Sequence, residues 1–282
     1  MRRLVLIIIA LATLFPSLAQ AYEVLVLQSS RNAGYEQALK GFRSGCNASQ
    51  RLVVLSDYVE VDVVRIVREE RPRLILAIGD TALAATRKIR QTPVVAVMSF
   101  GIGTRANLTG ITMFAPPEKY CNLFKQLKVH NVGVIHNPGK TGWYLDKAQK
   151  AAEKAGIKLN VRRVESPRET LAQLDSLAGK VDALWMFPDT TAVTRETVEA
   201  YFRFGQQQAV PVVSFAASYL GMGAAAAVEI DTNEMGRQAG DMANALLRGS
   251  RIDTIPLVAP RGTKYRINQS VLGKLDIKET TE

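Results

Sequence analysis

Short apolar runs alternate with amphipathic segments along this chain, and the alternation is completed twice. Val24 to Gln28 is an apolar run too short for a helix, and Tyr35 to Cys46 follows with helical spacing at Tyr35, Ala38, Leu39 and Phe42. Strands are then expected over Leu52–Leu55, Leu74–Ile78, Val94–Met98 and Leu108–Met113, with helices over Val61–Glu70, Thr81–Ile89 and Pro116–Leu127. The second round places strands at Val132–His136, Lys158–Val164, Ala183–Met186, Val210–Ser214 and Ala224–Ile230. Its helices are Tyr144–Ala155, Pro167–Leu177, Thr194–Gln208 and Glu234–Leu247, and a tail from Ile255 to Leu275 closes the chain. Near-continuous apolar strands divided by amphipathic helices require parallel sheets covered on both faces. The expected fold is α/β, with two Rossmann-like lobes.

The first 21 residues read as a secretory leader. Arg2 and Arg3 form a positive start, Leu4 to Phe15 is apolar but for Thr13, and Ala19-Gln20-Ala21 is a small-residue cleavage site. The apolar run is about a dozen residues, against the roughly 20 that a spanning helix needs. The mature chain, from Tyr22, is expected in the periplasm. Cleavage lowers the formal charge from +10 to +8, because the leader has no acidic residue. The remaining charges are scattered and the compartment lacks DNA, so nucleic acid is not an expected partner. A cytoplasmic repressor of similar shape would carry a DNA-binding helix pair where the leader stands.

Ligands of open parallel sheets bind beyond the carboxyl ends of the strands. Those ends carry Ser29-Ser30-Arg31-Asn32, Gly79-Asp80-Thr81 and Ser99 in the first half. In the second they carry Asn137-Pro138-Gly139-Lys140-Thr141-Gly142-Trp143, Asp189-Thr190 and Ser214. Small polar side chains and helix N-termini therefore recur on both lobes, and helix N-termini favour anionic groups. Taken singly, Asp80, Thr141 and Asp189 are also ordinary capping or turn residues. Trp143 reads equally as a stacking platform and as a surface cover.

No catalytic set emerges. Gly139-Lys140-Thr141 resembles the end of a phosphate-binding loop, but Val134 stands where its first glycine is needed. No G-x-S-x-G occurs, and Gly101-Ile102-Gly103 lacks the third glycine of a dinucleotide fingerprint. His130 and His136 have no acidic or thiol partners nearby in sequence, so neither a metal nor a cofactor is expected. Export permits a disulfide between Cys46 and Cys121, but two buried free thiols are the favoured reading.

Several segments carry a family resemblance: Ala77-Ile78-Gly79, Asn107-Leu108-Thr109-Gly110-Ile111-Thr112, Val132-Gly133-Val134-Ile135-His136-Asn137-Pro138, and Asp182-Ala183-Leu184-Trp185 with Asp189-Thr190. Pro211-Val212-Val213-Ser214, Met235-Gly236-Arg237-Gln238-Ala239 and Ile267-Asn268 continue it. In this order they resemble the tryptophan/tyrosine-type substrate-binding proteins of ABC transporters, over essentially the whole mature chain. The resemblance implies a type I periplasmic binding fold with a multi-strand hinge, residues 22–128 and 231–247 in one lobe, and 129–230 and 248–282 in the other. It implies a monomer that closes on a small-molecule ligand and delivers it to an ABC permease. Matching cleft positions lie near Ser30, Asp80, Thr81, Asn137, Thr141, Asp189, Thr190 and Ser214, and Ser99 joins them as a strand end. Between Met98 and Asn107 only eight residues remain, fewer than the family usually carries. That shortening falls at the cleft edge and bears on the ligand, not on the fold. A sensory module reporting to a membrane receptor and an exported enzyme using Asp80 or Asp189 are the rival readings.

Overall fold

The computed structural model describes residues 22–277, so the expected leader, Met1 to Ala21, lies outside the described residues. No helix among the described residues is long and apolar enough to cross a membrane.

Two sheets form two lobes. The first is fully parallel, with β1 (Val24–Gln28), β2 (Gln50–Val54), β3 (Leu74–Ile78), β4 (Val94–Val97) and β5 (Leu108–Gly110) in the order β2-β1-β3-β4-β5. Every residue of β1, β3 and β4 is buried, as a sheet covered on both faces requires. Full burial of each Val, Leu or Ile here contributes about 1.5–3 kcal/mol. The second sheet holds β6 (Asn131–His136), β7 (Lys158–Arg163), β8 (Ala183–Trp185), β9 (Val212–Ser214), β10 (Ala226–Ile230) and β11 (Thr263–Ile267) in the order β11-β10-β9-β8-β6-β7. Without its antiparallel edge strand β11, this order repeats that of the first sheet. Each sheet therefore has its own switch point, between β1 and β3 and between β6 and β8, where adjacent crossovers part to opposite faces and leave a crevice.

The helices are α1 (Ala33–Gly45), α2 (Val63–Glu70), α3 (Asp80–Ala85), α4 (Pro117–Gln126), α5 (Pro138–Ala155), α6 (Thr170–Asp175), α7 (Val198–Gln207), α8 (Thr232–Leu247) and α9 (Gln269–Lys274). Three differences from the sequence expectation matter. Helix α5 begins at Pro138 and not at Tyr144, because Asn137 caps it and the proline occupies the first turn, where no N–H is needed. The tail forms β11 and α9, which alternation alone did not reveal. The resemblance implies a boundary between lobes at Lys128–Val129, yet α4 lies against α5, with the Tyr120 and Phe124 rings 4.6 and 5.6 Å from Trp185 of β8.

The chain passes between the sheets at three places. Ile111-Thr112 runs beside Val258, with Thr112 N–H donating to the Val258 carbonyl at 2.9 Å and Val258 N–H to Gly110 at 3.1 Å. The third passage follows Ile230, where Asp231 N–H donates to Gly262 at 3.0 Å and the Asp231 carboxylate pairs with Lys264 at 2.8 Å. From there α8 packs along α1. Gly41 and Gly45 of α1 face Gly236 and Gly240 of α8, and a Cβ at Gly41 or Gly236 would overlap a carbonyl oxygen of the other helix.

Cys46 and Cys121 are free and buried. Burial pushes the Cys121 thiol up to about 11 and the Cys46 thiol upward too, so neither forms a reactive thiolate near neutral pH.

Candidate functional site

At the first switch point, Ser29 ties β1 to β3. Its hydroxyl donates to Ile78 O at 3.0 Å and accepts from Ala82 N–H at 2.9 Å. Gly79 turns the chain there at φ +92°, and a side chain would meet Ser29 Oγ and Tyr35 Oη at 2.6 Å. Asp80 and Thr81 are exposed at the start of α3, and the buried Ser99 hydroxyl donates to Asp80 Oδ1. The Gly101 N–H donates to the same oxygen at 3.2 Å, which folds the short β4–β5 loop back over the strand ends. Met98, next to Ser99, holds φ +57°, an uncommon conformation for a residue with a side chain. Ser30 is half-buried, its carbonyl accepting from Gln28 Nε2 at 2.9 Å.

At the second switch point, Asp189 is 1% exposed. Its Oδ1 accepts from the N–H groups of Thr191 and Ala192 at 2.8 and 3.0 Å. Its Oδ2 accepts from Asn137 N–H at 2.8 Å and from the Thr141 hydroxyl at 2.6 Å. Asn137, Thr141 and Asp189 thus form one hydrogen-bonded unit that clamps the ends of β6 and β8 together. Ser214 is also buried, donating to Ala216 O at 3.0 Å. Thr190 is exposed and accepts from Lys140 Nζ at 3.0 Å.

His136 belongs to this unit. The single Thr141 hydroxyl proton goes to Asp189, so the 3.3 Å contact between Thr141 Oγ1 and His136 Nδ1 requires the imidazole to donate from Nδ1. Burial holds the His136 pKa below its ordinary value; Asp189 opposes the shift and Arg163 reinforces it. The unfolded chain then binds the proton more readily, so this stabilisation is complete above about pH 6.5 and is lost as the pH falls below it. Unfolding by urea should show a midpoint that declines from pH 7.5 to 5.5, with a smaller decline in His136→Phe. An equal slope in both proteins would show that His136 does not carry the dependence.

Between the lobes lies a cavity of about 410 Å³. The β4–β5 loop contributes Ser99, Phe100, Ile102 and Thr104, the first passage Phe114, and α5 Lys140, Trp143, Tyr144 and Lys147. Phe114 bridges the walls, its ring 6.4 Å from Phe100 and 4.8 Å from Trp143, edge-on to both. Behind it, the Tyr144 hydroxyl donates to Ala115 O at 2.7 Å. Trp143 and Phe100 remain 44% and 42% exposed, so apolar ring surface faces an open recess. Lys140, Trp143 and Lys147 share one face of α5, and Lys147 Nζ lies 5.3 Å from the Trp143 ring centre. Of the residues named from sequence, Ser99, Lys140 and Trp143 line this cavity, while Asp80 borders a neighbouring recess with Gly101 and Arg105. Among the described residues no group of three His, Cys, Asp or Glu side chains is placed to hold a metal ion.

Residues 34–282 match the family model described as ABC transporter substrate binding protein. The chain belongs to that family. A tyrosine-binding protein of Clostridioides difficile (strain R20291) is 24% identical over 177 residues, covering 61% of this chain and 51% of the relative, so the chain matches about half the length of that curated protein. Among solved structures, a ligand-free, open substrate-binding protein with adhesive properties from Clostridium difficile aligns at a TM-score of 0.70 and 18% identity, over 92% of this chain and 96% of the other. An ABC domain in complex with L-Trp from Streptococcus pneumonia aligns at 0.61 and 20% identity, over 90% and 94%. At these identities the likeness of the structures establishes the shared fold. The ABC substrate-binding family and the type I fold agree with the sequence expectation.

Proposed function

We propose that this protein is the extracytoplasmic solute-binding component of an ABC importer and holds a small organic solute with an anionic group between its lobes. The observation that carries the reading is the inter-lobe cavity, walled by Phe114 and the exposed faces of Trp143 and Phe100, with Lys140 and Lys147 on its α5 side. A wall of aromatic rings with a few polar groups suits one small ligand, and parts drawn from both lobes let binding favour a closed state. The named ligands of the relatives, tyrosine and L-Trp, support a solute with an apolar body of this size.

In this reading Ser99 contacts the ligand, and Ser30, Asp80, Thr81 and Thr190 stand at the rims that meet on closure. Asn137, Thr141, Asp189 and Ser214 hold the rims in shape. Intrinsic fluorescence and titration calorimetry against a panel of amino acids and organic acids test it, followed by Trp143→Ala. Loss of the ring should weaken binding about 30-fold, near 2 kcal/mol, as for a buried aromatic anchor. A purified mature protein that gives neither heat nor thermal shift with any member of the panel would sink the proposal.

A further inference from the structure

The charge lining the inter-lobe cavity is one-sided. Lys140 and Lys147 lie on it, and no Asp or Glu does. Neither lysine is ion-paired among the described residues: Lys140 donates to the neutral Thr190 hydroxyl and Lys147 sits beside the Trp143 ring. Two carboxylates of neighbouring recesses are already engaged. Asp80 accepts from Ser99 and Gly101 at its own recess, and Glu229 pairs with Arg266 at 2.9 Å. Three backbone carbonyls around the cavity are engaged as well. Ala115 O accepts from Tyr144, Val258 O from Thr112 N–H, and Ala259 O from Gln238 Nε2.

A zwitterionic amino acid brings an ammonium that must be paired when the lobes close, because an unpaired buried charge is costly. Here the cavity wall offers that ammonium two cations and no carboxylate. A carboxylate without an ammonium meets the same two lysines favourably, one helical turn to either side of the Trp143 ring. Resting on the solute-binding reading above, we infer that the cavity selects apolar-bodied organic acids lacking an amino group over the corresponding amino acids.

Matched ligand sets separate the possibilities: 3-phenylpropionate, L-phenylalanine and phenethylamine share one ring, and 4-methylpentanoate, L-leucine and isopentylamine share one branched chain. Calorimetry on the mature protein at pH 7.5 should show the acid of each set binding at least 10-fold more tightly than its amino acid, and no binding of the amines. Lys147→Met and Lys140→Met should each weaken the acid about 10-fold while leaving the unfolding temperature within a degree or two. Phenylalanine or leucine binding as tightly as the matching acid overturns this inference and leaves the solute-binding reading standing. Silence from all six ligands, and from the wider panel, overturns both.

Discussion

Gly236→Leu is expected to leave little folded protein at 37 °C, and Gly236→Ala to lower the unfolding midpoint by about 10 °C. Helices α1 and α8 are separated by almost 200 residues of sequence, and their backbones touch through Gly41, Gly45, Gly236 and Gly240. A methyl group on Gly236 overlaps the Ala38 carbonyl and reaches within 2.8 Å of Phe42 N. Both are main-chain atoms of a packed helix, so no side chain can rotate away and the helices must part. Overpacking of this kind costs about 3 kcal/mol, at 2–4 °C per kcal/mol for a chain this large. Gly142 supplies the control. It lies within α5, and a Cβ there has nothing within 4 Å, so Gly142→Ala should raise stability by about 0.5–1 kcal/mol. Thermal unfolding followed by circular dichroism reads both; a Gly236→Ala midpoint equal to that of the parent would refute the close contact.

The second large effect is at Asp189. Alanine strands four donors, the N–H groups of Asn137, Thr191 and Ala192 and the hydroxyl of Thr141. Removing one side of a buried charged network costs about 3–5 kcal/mol, a fall of roughly 10 °C in the midpoint. Asparagine keeps one oxygen but turns its amide N–H toward one donor pair, so Asp189→Asn should fall between the parent and Asp189→Ala. Had Asp189 been an acid or base facing a substrate, alanine would abolish turnover and spare stability. A loss of stability with no change in ligand affinity is the expected pattern, and a stable variant that cannot bind ligand would contradict the clamp.

Both lobes were legible in the sequence because the signal is local. Val24–Gln28 and Leu74–Ile78 can only be covered strands, since every side chain in them is apolar or ends the run. The strand ends were legible for the same reason, and they hold the polar residues that the structure gathers at the two switch points. What each polar residue does there was not legible. Asp80 and Asp189 look alike in sequence, yet one stands exposed and the other lies buried among four donors. That difference depends on whether α5 or the short β4–β5 loop lies opposite. The same uncertainty hid Lys147. A helix starting at Tyr144 gives Lys140, Trp143 and Lys147 no common face; one starting at Pro138 does. Asn137 before Pro138 was the available signal, a cap followed by a first-turn proline.

The sequence by itself determined two rounds of alternating strand and helix, and hence two covered parallel sheets, because hydrophobic periodicity is written residue by residue. Only the tertiary structure decided that α4 joins the second lobe, that α8 meets α1 through paired glycines, and that one face of α5 forms the lysine-flanked aromatic wall of the cleft. Those outcomes depend on contacts between residues far apart in the chain, where the energy lies in how two surfaces fit and the pattern within either surface does not specify its partner.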